Sequence, residues 1–141
     1  MLLSGLADQA WPNSKLSQIV FVAADVPVNI FQQKFPRIRH QGERYTSYVS
    51  DRDRALWISS LLHRLERVGI SRGEPFVTEG LETIEASNVN TSLLGLGMGH
   101  SYFGDKRSLL GDIGYLLRER LPAERRGLPK EEQQGYWYFP R

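Results

Sequence analysis

Apolar residues recur along this chain in two rhythms that alternate. Leu2, Leu3 and Leu6 fall at helical spacing and predict a helix over residues 1–10, which Trp11, Pro12, Asn13 and Ser14 break. Residues 18–24 (Gln-Ile-Val-Phe-Val-Ala-Ala) form a continuous apolar run of strand length, the pattern of a parallel strand buried on both faces. A short helix over 29–35 is expected to stop at Pro36, and residues 37–44 read as a polar connection. A second strand follows over 45–49. Residues 53–68 read as a helix whose apolar stripe is Ala55, Leu56, Ile58, Leu61, Leu62, Leu65 and Val68, with Gly69 at its C-terminal stop. A third, weaker strand is expected over 81–86 and a glycine-bearing loop over 88–99. A last helix over 108–121 should turn Leu109, Leu110, Ile113, Leu116, Leu117 and Leu121 inward and end at Pro122. The tail from Ala123 is polar and closes on Tyr136, Trp137, Tyr138 and Phe139.

Strand and helix alternate throughout, so the fold class is α/β: a parallel sheet of about three strands flanked by helices. The 141 residues show no internal repeat and no linker, and read as a single partial domain, 1–141. The first helix is entered on its apolar face with no capping residue before it. The strand over 18–24 looks built for an interior yet would lie at a sheet edge, an exposed pairing template. Both features predict an incomplete sheet, poor solubility of the chain alone and self-association through the open edge.

Composition narrows the classes. Hydrophobic residues make up 40%, as in a globular protein, and no apolar run approaches the ~18 residues of a membrane span. The N-terminus lacks the basic and apolar regions of a signal peptide, so a cytoplasmic location is expected. The absence of cysteine excludes disulfides, thiol nucleophiles and Cys-zinc sites. A net charge of +2, with Arg118, Arg120, Arg125, Arg126 and Lys130 interleaved among glutamates, reads as a solvated mixed-charge surface. Nucleic acid is therefore not an expected partner, and no cofactor or metal is expected.

The chemistry concentrates at strand ends. Ligands of open α/β sheets bind outside the carboxyl ends of the strands, where Asp25, Ser50, Asp51, Asp53 and Ser87 fall. His100 follows in the loop after the third strand, among Gly95, Gly97 and Gly99. A carboxylate past one strand and a later loop histidine are the acid and base of a hydrolase triad, in that order. Asp53 is favoured as the acid, because the acid in such a turn comes a few residues past the strand end; Asp51 competes. The plain alternative is that these aspartates cap the following helix and that His100 bonds to backbone. His40 and His63 look ordinary. A Gly-x-Ser-x-Gly elbow ahead of both would supply the nucleophile, and none precedes Asp53 in the chain. Ser101 beside His100 lies near the predicted site but in no such setting.

Four segments in this order carry a resemblance: Val22-Ala-Ala-Asp-Val26 with Phe31, Tyr48-Val-Ser-Asp-Arg-Asp-Arg-Ala-Leu56 with Ser59 and His63, Glu82-Thr-Ile-Glu-Ala-Ser87, and Gly99-His-Ser-Tyr-Phe103. With the Tyr136–Phe139 ending they resemble a bacterial family of esterase/lipase-like α/β-hydrolases of unassigned substrate. The resemblance implies Asp53 as triad acid, His100 as general base and Asp25 near the site. It also implies a nucleophile on a His-Ser-Met-Gly-like elbow, and an oxyanion loop, both upstream of Met1. Several members have Asp where this chain has Glu85, a departure with no evident catalytic consequence. The expected function is the C-terminal portion of a serine acyl hydrolase acting on a small acyl ester, inactive by itself for want of its serine. The alternative is a non-catalytic, degenerate α/β-hydrolase interaction module.

Overall fold

The structure, a computed structural model, describes residues 2–8, 16–51, 66–71, 74–89 and 109–141. Its elements are α1 (Leu2–Asp8), β1 (Leu16–Val22), α2 (Val28–Ile38), β2 (Gly42–Val49), β3 (Glu82–Glu85), α3 (Leu109–Glu119), a 3-10 turn (Ala123–Arg125), β4 (Lys130–Glu131) and β5 (Tyr136–Tyr138). They build a sheet of order β1-β2-β3-β5-β4. The pairs β1–β2, β2–β3 and β3–β5 are parallel, and only β4 runs against its neighbour.

Side-chain alternation along the strands divides the core between two faces. Ile19 and Phe21 of β1 and Tyr45 of β2 point to one face, where Leu3 and Leu6 of α1 and Phe31, Phe35 and Ile38 of α2 cover them. The rings of Phe31 and Phe35 stack at 5.0 Å, and Phe21 and Tyr45 meet them edge-on at 5.5 and 5.2 Å. Tyr48 and Ile84 point to the other face, under Leu109, Ala123, Leu128 and Phe139. Every residue of 45–50 is buried, as expected of a central parallel strand with both faces covered.

Several boundaries differ from the sequence expectation. β1 ends at Val22 because Ala23 turns left-handed, φ 46°. Pro36 does not stop α2: its missing N–H forfeits one helical bond, and the helix continues to bury Ile38 completely. In α3, Leu109 and Leu116 are buried as expected, but Leu110 and Leu117 are exposed and Asp112 takes an inward position. Residues 53–65 of the helix expected over 53–68, and most of the 88–99 loop, lie outside the described residues. Val68, the last position of that expected stripe, is fully buried but sits in a turn.

The tail is the largest departure. It forms a hairpin, with Gly135 at φ 79°, and β5 pairs with β3, so the sheet has five strands rather than about three. β1 remains the outer strand, as expected. Its Ile19 and Phe21 are nevertheless only 4% and 7% exposed, because α1 and α2 cover them without a further strand.

Candidate functional site: the carboxyl rim of the sheet

Four parallel strands bring their carboxyl ends to one rim, and short-range chemistry there stitches the exits together. The segment 66–71 runs across the ends of β1 and β2. The Val68 and Gly69 amides donate to Val26 O (2.9 Å) and Ala24 O (3.0 Å), and Gly69 O accepts from the Ser50 amide at 3.0 Å. A Cβ on Gly69 would lie 2.4 Å from Ala24 N and 2.5 Å from Ala23 C, so only glycine lets the two backbones approach this closely. Sequence reading placed Gly69 as a helix stop; its close approach to β1 carried no sequence signal.

The β2 and β3 exits are joined more directly. The Asp51 amide donates to Ser87 Oγ at 2.9 Å. Ser87 in turn donates its hydroxyl and its amide (2.9 Å) to Glu85 Oε1, and the Ser71 hydroxyl reaches the same oxygen at 3.5 Å. One carboxylate oxygen thus gathers donors from two segments, and through Ser87 it holds a third. Hydrogen bonds to an ionised acceptor are about twice as strong as neutral ones. On the far side, Asn88 Nδ2 donates to Phe139 O at 3.1 Å, and the Phe139 amide to Glu85 O at 3.1 Å, so the tail braces the same exit.

The residues singled out from sequence fare differently. Asp25 follows β1, is half-exposed and pairs with Arg67 Nε at 3.3 Å. Asp51 is exposed at the end of β2, and Ser50 and Ser87 are buried at 6% and 7% exposure. Asp53, His100 and Ser101 lie outside the described residues. The structure therefore juxtaposes the backbone positions from which the Asp53 and His100 segments depart. Among the described residues, no group of three or more His, Asp or Glu stands where it would hold a metal ion. No described helix is long and apolar enough to cross a membrane.

A second polar cluster lies away from the rim, on the α3 face of the sheet. Tyr48 donates to Asp112 Oδ2 at 2.6 Å in the core. Arg126 sits between Asp112 Oδ1 (3.5 Å) and Glu82 Oε2 (3.6 Å), and Glu82 also pairs with Arg44. Burial, then the neighbouring Asp112 charge and hydrogen bond, push the Tyr48 hydroxyl up in pKa. Burial raises the Asp112 carboxyl, while the Tyr48 hydrogen bond and the Arg126 charge pull it part of the way back. The Arg126 side chain is 0% exposed, which corrects its assignment to a solvated surface: its chain neighbours are charged, but it folds inward to the buried Asp112 and the partly buried Glu82. A cleft of about 410 Å³ opens between α3 and the tail beside this cluster, with Tyr115, Arg125, Leu128 and Phe139 in its walls. Asp112 and Arg126 also line this cleft, but their side chains are 6% and 0% exposed, and together they clamp α3 and the tail to the sheet.

Comparison with protein families matches the model described as "Alpha/beta hydrolase of unknown function (DUF900)" over residues 2–120. No curated protein and no solved structure matches the chain. The chain belongs to that α/β-hydrolase family, and its mostly parallel sheet with helices on both faces is consistent with it.

Proposed function

We propose that this α/β-hydrolase chain supplies the acid and the base of a serine acyl hydrolase of the carboxylesterase or lipase-like kind, with Asp53 as acid and His100 as base. The observation that carries the reading is the Asp51 N–H to Ser87 Oγ bond of 2.9 Å at the carboxyl rim. Asp53 lies just beyond Asp51, and His100 lies in the segment that leaves from Ser87. Both depart from adjacent parallel strand ends, where ligands of open α/β sheets bind.

In the proposed reaction His100 accepts the proton of a serine hydroxyl as that oxygen attacks an ester carbonyl. Asp53 holds the imidazole tautomer and stabilises the imidazolium formed. His100 then returns the proton to the leaving alkoxide. The Gly-x-Ser-x-Gly match at Gly69-Ile-Ser-Arg-Gly73 follows Asp53 instead of preceding it, and its Ser71 is buried with its hydroxyl on Glu85, so the chain by itself is expected to be inactive by this route. Loss of a triad serine costs on the order of 10⁶ in turnover.

The test is covalent labelling by a fluorophosphonate in the native host, with the labelled protein captured by an antibody to the 123–141 tail. Capture of a polypeptide labelled on serine is expected. Labelling should fall by at least about 100-fold in His100→Gln and in Asp53→Asn, given the size of triad effects elsewhere. A captured protein that takes no label supports the non-catalytic module instead.

A further inference from the structure

We propose that Glu85 is a positioning residue for this site: through Ser87 it fixes the β2 exit against the β3 exit, and so sets the approach of acid to base. The inference rests on the reading of Asp53 and His100 as that pair.

Glu85 is the last residue of β3, and its side chain lies on the face opposite Ile84 and Ala86. There its Oε1 takes the Ser87 hydroxyl, the Ser87 amide at 2.9 Å and the Ser71 hydroxyl at 3.5 Å. The Ser87 hydroxyl spends its proton on Glu85, which leaves its lone pairs for the Asp51 amide at 2.9 Å. The chain of donors therefore has one direction, from Asp51 N–H through Ser87 O–H to the carboxylate. Each bond in such a chain polarises the next. Ladder bonds already pair β2 and β3 as far as Val49 and Glu85, but the ladder ends there. Beyond it, Ala86 N to Val49 O at 2.8 Å is the last backbone link, and the Ser87–Asp51 bond takes the register one step further out. Ser71 brings the 66–71 segment to the same oxygen. A neutral, shorter side chain at 85 leaves the Ser87 hydroxyl and amide without their acceptor, and nothing then orients that hydroxyl to accept from the Asp51 amide.

The experiment reads the imidazole N–H of His100 in the intact chain by NMR. A histidine Nδ1–H donated to a carboxylate exchanges slowly and resonates far downfield, a signature that mere folding does not produce. The resonance is expected in the unaltered chain, in His40→Gln and in His63→Gln, and is expected to vanish in Asp53→Asn. It should also vanish in Glu85→Ala and in Ser87→Ala, and survive in Glu85→Gln, whose amide oxygen still accepts from Ser87. Ser87→Ala removes one hydroxyl and keeps the test valid should Glu85→Ala fail to fold. A resonance that disappears in Asp53→Asn but persists in folded Glu85→Ala or Ser87→Ala overturns the role of Glu85 alone. A spectrum that lacks the resonance, or one unchanged in Asp53→Asn, overturns the acid–base reading and the positioning role with it.

Discussion

Replacing Arg126 by methionine should destabilise the chain far more than an average arginine substitution. The guanidinium, 0% exposed, lies 3.5 Å from Asp112 and 3.6 Å from Glu82, and joins α3, the tail and β3. Methionine fills much of the volume of the arginine stem but leaves Asp112 with the Tyr48 hydroxyl as its remaining partner. Removing one member of a buried pair costs about 3–5 kcal/mol. Two features argue for the lower end. All three guanidinium nitrogens lack a well-formed hydrogen bond, so their removal recovers part of their desolvation. Glu82 retains Arg44 as a partner. About 3 kcal/mol is expected, which for a chain of this size corresponds to a fall in Tm of about 10 °C. Urea and thermal melts followed by circular dichroism measure both.

The double variant Arg126→Met/Asp112→Asn leaves neither charge stranded. It should lie within about 1 kcal/mol of the unaltered chain, a coupling of at least about 2 kcal/mol. Acidity gives an independent check. Asp112 binds its proton more tightly folded than unfolded, chiefly through burial. Its contribution is thus fully present below its unfolded pKa and is lost as pH rises through the higher folded value. Arg126 is one of the influences holding that folded value down. Without it, Asp112 protonates at higher pH and the stranded charge is relieved sooner. The deficit of Arg126→Met must therefore shrink as pH falls from about 7 towards about 4. A deficit below about 1 kcal/mol, a deficit that grows on acidification, or additive single effects would refute the clamp.

Three further outcomes follow from the rim and the sheet edge. Gly69→Ala forces a Cβ against Ala23 and Ala24 backbone at 2.4–2.8 Å and should cost about 3 kcal/mol, with faster hydrogen exchange at the Ser50 amide that Gly69 O accepts; unchanged exchange contradicts the stitched rim. Ala23→Gly relieves a left-handed alanine at φ 46° and should raise stability by about 0.5 kcal/mol, the left-handed strain less the entropy of glycine; a lower Tm counts against that strain. Self-association through β1 predicts an oligomer by size-exclusion chromatography that Ser17→Lys converts to monomer, since an edge lysine disfavours strand pairing; a monomeric unaltered chain refutes it.

What the sequence disclosed depended on whether local pattern or distant contact decides the matter. The three parallel strands before the tail were legible because buried parallel strands read as apolar runs, and β2 is buried at every position from Tyr45 to Ser50. The tail was not, because Lys130–Glu131 and Tyr136–Tyr138 are too short to show a period; their strand character comes from pairing with each other and with β3. α3 illustrates the same limit. Apolar residues at six positions suggested a broad inward stripe, but the helix spends one inward position on Asp112, which Tyr48 and Arg126 satisfy from 64 and 14 residues away by number. No local pattern announces a buried aspartate whose partners lie elsewhere in the chain.

At the rim, sequence reading nominates residues and stops short of what joins their strand exits. Residue type and position past a strand end suffice to nominate Asp53 or Asp51 and then His100, because a triad of this kind has its acid before its base. What brings two strand exits together is a different matter, for it depends on which side chains can accept from which amides. Glu85 drew no catalytic weight in the sequence, since a glutamate alternating with buried residues on a strand looks like a solvent-facing position. Its carboxylate is instead committed to Ser71 and Ser87, and through Ser87 to Asp51. A shorter aspartate at that position would have to reach the same donors from further back along the strand. The length of the side chain at residue 85 is thus tied to the spacing of the two exits.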